Sequence, residues 1–117
     1  MIRIFIEVPL FSKRWKELGF DDNDLRILQE QLLKEPQTGV LMQGTGGIRK
    51  MRFALPGKGK SGGVRVCYVD YEEYRVIYLI TVFAKKDQQN LTQEEKNMLK
   101  SFVKQLKEET ARRFKHE

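Results

Sequence analysis

Apolar residues alternate at the start of the chain. Ile2, Ile4 and Ile6, with Phe5 and Val8 among them, predict a buried strand over residues 2–8. The period then lengthens to that of a helix. Pro9 suits a first helical turn, and Phe11, Trp15 and Leu18 recur at four and three residues, on one face of a short helix ending near Gly19. Asp21 or Asp22 caps a second helix, whose stripe is Leu25, Leu28 and Leu32 and which stops before Pro36 and Gly39. Helices joined by so short a turn form a hairpin.

Beyond Gly39 the pattern returns to strands and glycine. Residues 48–55 alternate, with Met51 and Phe53 on one face, Lys50 and Arg52 on the other, and Arg49 at the end of the apolar face. A glycine-rich turn over 57–63 leads to a second strand at 64–69, and Glu72 with Glu73 turns the chain into a third at 75–83. The short connections predict an antiparallel meander. Thr92 with Glu95 fits a capping box, and Leu99, Phe102, Val103 and Leu106 form the apolar face of a last helix over 93–114. The whole reads as one α+β domain over residues 1–117 in the order β-α-α-β-β-β-α, a mostly antiparallel sheet packed against helices.

Composition narrows the chemistry. With 40% apolar residues, seven Phe and four Tyr, the chain can bury a core and is not expected to be disordered. No apolar run approaches the roughly 20 residues that span a bilayer, and residues 2–10 are too short and, at Glu7, too acidic for a signal peptide, so the expected compartment is the cytoplasm, with no membrane partner. Cys67 is the only cysteine, in an apolar run, which excludes an intrachain disulfide and a cysteine-based zinc site. The only histidine is the penultimate residue, His116, so triads and histidine-pair nucleases lack their imidazole.

Charge supplies the functional signal. Between Glu35 and Asp70 there is no carboxylate, yet Arg49, Lys50, Arg52, Lys58, Lys60 and Arg65 lie there, so the net charge of +6 is concentrated in one central segment. A local field of this kind suits a polyanion, nucleic acid first. The plainer alternative is a solvated basic loop. Strand alternation sets Lys50 and Arg52 on one face roughly 7 Å apart, Arg65 can join them from the neighbouring strand, and Lys85 and Lys86 follow the third strand. If RNA is the ligand, its 2′-hydroxyl is the nucleophile. The protein then has to align it, take its proton, stabilise the phosphorane and protonate the leaving oxygen, tasks open to Lys and Arg without metal or other cofactor.

The remaining motifs say less. Gln43-Gly44-Thr45-Gly46-Gly47 lacks the Lys-Ser/Thr ending of a nucleotide loop and opens onto a strand, so it reads as a turn with unusual backbone angles. Lys58 and Lys60, on a mobile glycine loop, are candidates for holding phosphates without sequence readout, as is Arg49. Tyr68 and Tyr78 read as core, Tyr71 and Tyr74 as either surface or packing residues, and Arg112, Arg113 and Lys115 as a solvated helix face.

Three blocks together resemble a known family. Residues 43–52 (QGTGGIRKMR), 62–68 (GGVRVCY) and 78–87 (YLITVFAKKD) are similar, in order and spacing, to toxins of the RelE/ParE superfamily, and most to its HigB-like branch. The resemblance implies a RelE-like fold and a ribosome-dependent mRNA endonuclease that cuts in the ribosomal A site. It also implies partners: bacterial ribosome and mRNA, a cognate antitoxin of helix-turn-helix type, and DNA only through that antitoxin. By the same resemblance Lys50 and Arg52 face the RNA and one of them is the general base, Arg65 stabilises the transition state, and Lys85 and Lys86 lie where several relatives supply the general acid. Some relatives place a histidine or tyrosine there, and this chain offers neither at a matching position. A gyrase inhibitor of the ParE branch and a non-catalytic nucleic-acid-binding protein are the alternatives.

Overall fold

The computed structural model describes residues 2–58, 63–87 and 91–114. Its elements are β1 (Ile4–Glu7), α1 (Pro9–Glu17), α2 (Asp22–Lys34), β2 (Val40–Leu41), β3 (Arg49–Phe53), β4 (Val64–Tyr71), β5 (Val76–Ala84) and α3 (Gln93–Arg113). They form one five-stranded sheet in the order β1-β5-β4-β3-β2. The meander β3-β4-β5 is antiparallel as expected, while β1 lies parallel to β5 at one edge.

Local chemistry accounts for most element ends. Pro9 opens α1, and Gly19, at φ +90°, takes the left-handed turn that follows it. Asp21 caps α2 in a reciprocal box with Asp24, and Thr92 does the same for α3 with Glu95.

Both faces of the sheet are covered. On one side the α1–α2 hairpin buries Phe11, Trp15, Leu28 and Leu32 against Met51, Phe53, Val66 and Tyr68. Trp15 stacks between Phe11 and Phe20 at centroid distances of 5.4 and 4.3 Å. On the other side α3 lays Val103, Leu99, Phe102 and Leu106 over Ile48, Val69, Tyr78 and Ile80. A β-bulge at Cys67/Tyr68 adds one residue to β5, so that the neighbours Ile80 and Thr81 both fall on the α3 side, while Leu79, paired with Tyr68, faces the hairpin. Two hydroxyls fasten α3 to the sheet: Tyr71 donates to the Val103 carbonyl at 2.7 Å, and Thr110 lies 3.1 Å from the Tyr78 hydroxyl.

The first strand departs from expectation. It is shorter than residues 2–8: Ile2 lies ahead of it, 71% exposed, and Ile4, at the open end of an edge strand with a neighbour on one side only, is 46% exposed. β2, absent from the predicted order, is a two-residue edge strand on β3, too short to leave a periodic signal. Arg3 crosses from the start of β1 to Asp70 of β4 in a buried ion pair of 2.9 Å. No helix of the described residues is long and apolar enough to cross a membrane.

Candidate nucleic-acid interface

The site grows from β3 and β4. In their register Lys50 pairs with Cys67 and Arg52 with Arg65, and Arg65 and Cys67 pair onward with Phe83 and Thr81 of β5. Cross-strand partners share a face, so Lys50, Arg52 and Arg65 lie on the α3 side of the sheet. The face is not an open solvated surface: α3 roofs the half nearer Val69 and Tyr78 and leaves the half that carries the cations.

Where α3 begins, the sheet, α1 and α3 enclose a cleft of about 790 Å³. Lys50, Cys67, Thr81 and Phe83 line it from the sheet, Arg14 from α1 and Met98 from α3. Arg14 donates to the Thr81 hydroxyl at 3.2 Å, joining helix to floor. Arg52 and Arg65 continue the same face two residues along each strand, beyond the cleft lining. Burial pushes the Cys67 thiol up to about 11, with the nearby Lys50 ammonium pulling it the other way, so this thiol stays protonated at neutral pH and is no nucleophile.

Lys85 and Lys86 are exposed in the 3-10 turn that follows β5. The strand ends at Ala84, in register with Val64, so both lysines leave the sheet beside the start of β4 and hence beside Arg65. The glycine at that start is constrained. Gly63 has φ +81°, and a Cβ there would stand 2.8 Å from the Phe53 carbonyl oxygen and 3.4 Å from Arg52 Nε. The β3–β4 junction thus packs against the Arg52 guanidinium.

Two expected phosphate contacts have other work. Arg49 lies on the opposite face and donates to the carbonyls of Gln37 and Gly39 at 3.2 and 2.8 Å, because alternation turns it toward the 36–39 loop. Lys58 is bound to Asp21 at 2.8 Å and Asp24 at 2.9 Å, closing the turn after Leu55 onto the N-terminus of α2 rather than waving on a glycine loop. Lys60 lies outside the described residues.

The tyrosines face inward. Tyr68 and Tyr78 are buried as expected, Tyr68 against the α1–α2 hairpin and Tyr78 under α3; Tyr71 joins Tyr78 under α3 as a packing residue, and Tyr74 packs against the same cluster, partly buried. The 43–47 segment is a turn. The Thr45 hydroxyl donates to the Met42 carbonyl and accepts from Ile48 N, with Gly44 and Gly46 at positive φ. Among the described residues no group of three or more His, Cys, Asp or Glu side chains could hold a metal ion.

One basic feature escaped the sequence reading. Lys96, Lys100, Lys104 and Lys107 follow each other along α3 at intervals of four, four and three, with no acid between them. Helical spacing of lysines, a signal as legible as apolar spacing, would have found it.

The fold and sequence have known counterparts. Over 74% of this chain and 88% of its own length, the structure resembles an arginine-to-alanine double mutant of the E. coli toxin RelE in the free state, with 21% identity and a TM-score of 0.53. It also resembles a chain of the intact E. coli RelBE toxin-antitoxin complex, with 20% identity, a TM-score of 0.52, and coverage of 68% of this chain and 93% of that one. These likenesses establish the fold. A family model described as the RelE toxin of the RelE/RelB toxin-antitoxin system matches residues 3–116, and the chain therefore belongs to the RelE toxin family.

Proposed function

We propose that this toxin is a ribosome-dependent mRNA endonuclease of the HigB-like branch, neutralised by a cognate antitoxin and acting in the cytoplasm without metal. The observation that carries the reading is the cross-strand pair Arg52–Arg65 with Lys50 beside it. Three cations brought onto one stretch of the sheet by this register make a local positive field that suits a polyanion.

In this reading RNA enters the open half of the α3-side face, with the scissile phosphate against Arg65. The 2′-oxygen attacks phosphorus as its proton passes to the neutral amine form of Lys50, while Arg52, which stays a guanidinium and cannot take it, holds the phosphate. Arg65, whose planar fork matches phosphate oxygens, bears the charge of the phosphorane. The bond from phosphorus to the 5′-oxygen breaks, and that oxygen takes a proton from Lys85 or Lys86. The products are a 2′,3′-cyclic phosphate and a free 5′-hydroxyl. The ribosome holds the mRNA in line, an alignment that can supply several kcal/mol which a shallow cation cluster does not.

Expression of the wild-type chain should arrest growth and create new 5′ ends in cellular mRNA. Arg65→Ala should fold, by circular dichroism and melting temperature, and lose at least 100-fold in cleavage, on the order of losing one transition-state donor. A folded Arg65→Ala protein that still arrests growth and cuts mRNA refutes the assignment. Ribosome binding without new 5′ ends would indicate a non-catalytic binder.

A further inference from the structure

The lysine row of α3 stands apart from the cleavage face. We propose that Lys96, Lys100 and Lys104 form a second contact surface, which grips the phosphate backbone of double-helical RNA. This extends the RNA-directed reading to another part of the molecule and does not depend on which residues cut.

Spacing makes the row a ridge. At 100° per residue the four lysines fall within an arc of about 80°, and the interval from Lys96 to Lys107 spans about 16 Å along the axis. Lys100 and Lys104 are exposed and Lys96 partly so. The arc flanks the buried stripe of Val103 and Thr110, so the row runs beside the sheet rather than over it. Its side is fixed by the 43–47 turn: a Cβ on Gly44 would lie 3.3 Å from Lys96 Cδ, and one on Gly46 would lie 3.5 Å from Lys100 Cγ. The stems of Lys96 and Lys100 therefore rest on a glycine surface that leads into β3, and their ammonium groups can extend past it toward solvent. The ridge and the face of Lys50 are joined by that turn.

Charge complementarity selects the occupant. Among the described residues no carboxylate forms an ion pair with Lys96, Lys100 or Lys104, whereas Lys107 lies 3.6 Å from Glu73. Three cations at a regular interval on a rigid helix match a regular array of phosphates. The ridge also lacks a stacking platform, since Phe102 and Phe114 turn into the core under α3. A surface with charge but no aromatic faces gains little from unpaired bases, which favours a duplex over a single strand.

The test uses the full chain and fluorescently labelled RNA, a 20-base-pair duplex and a single strand of the same length, with anisotropy read from 50 to 300 mM salt. The variant is the triple substitution Lys96→Gln, Lys100→Gln and Lys104→Gln, which keeps helix-forming residues on an exposed face and should retain the wild-type melting temperature. The slope of log affinity against log salt for the duplex should fall by about 3, roughly one unit for each phosphate that is no longer neutralised. An unchanged duplex slope overturns the proposal. So does a loss on the single strand as large as on the duplex. Binding is read without cleavage, so a failed ridge leaves the endonuclease reading standing, and a toxic Arg65→Ala leaves the ridge standing.

Discussion

Tyr68→Phe removes one oxygen from the core and should cost more than any other single-atom deletion on β4. The ring is fully buried against the α1–α2 side, and its hydroxyl donates to the Pro36 carbonyl at 2.8 Å while accepting from Gly39 N at 2.9 Å. Burial raises its pKa, so the phenol remains a donor through neutral pH. Phenylalanine keeps the packing and strands two backbone groups in a site closed to water. Each such group costs about 1–3 kcal/mol, which puts the loss near 3 kcal/mol, a large share of a typical stability of 5–15 kcal/mol. Chemical denaturation followed by Trp15 fluorescence reports it directly, because Trp15 sits in the same cluster, and the melting temperature should fall by about 12 °C. Arg49 holds the other side of the same residue through the Gly39 carbonyl. Tyr68→Phe and Arg49→Ala should therefore be non-additive, with a coupling above about 0.5 kcal/mol. A Tyr68→Phe protein within 1 kcal/mol of wild type refutes the claim that this phenol satisfies the 36–39 loop.

The remaining predictions concern the turns beside the interface. Gly63→Ala places a Cβ against the Phe53 carbonyl at φ +81°, whereas Gly57→Ala, at φ +73° with nothing within 4 Å, bears the backbone strain alone. Gly63→Ala should melt lower by at least a further 1 kcal/mol and cut RNA more slowly, and equal melting of the two variants would remove the steric argument. The Lys58 ion pair holds the Asp21 carboxyl at about 2, below its ordinary 3.8, and raises Lys58 above 10.5. A depressed carboxylate contributes above its unfolded pKa, so this share of stability is present above about pH 4 and fades toward pH 2; the raised lysine's share is complete below 10.5 and fades above it. Lys58→Gln should flatten the urea midpoint between pH 4 and 2, and an unchanged acid slope would show that the pair contributes nothing.

Periodicity carried the reading a long way where one face of an element meets a core. Phe11, Trp15, Leu28 and Leu32 stand at helical intervals, Met51 and Phe53 alternate with Lys50 and Arg52, and both capping boxes signal themselves in a few residues. Ile2 and Ile4 misled because alternation reports that a strand has an apolar face, not whether a neighbour covers it. Lys58 misled because its glycine neighbours suggested freedom, while its carboxylate partners lie 37 and 34 residues earlier, beyond the reach of a local pattern. The lysine row of α3 is legible in its helical spacing alone.

By itself the sequence determined the order of elements, the identity of the polar and apolar faces, and a concentration of positive charge without carboxylates, since these follow from local backbone preference and composition. Tertiary structure decided which cations share a surface. Register set Arg52 opposite Arg65, the bulge in β5 set which residues α3 covers, and long-range contacts diverted Arg49 and Lys58 to structural duties. The physical reason is that a charge acts through distance in space, and pairing across strands and loops determines that distance only once the chain has closed on itself.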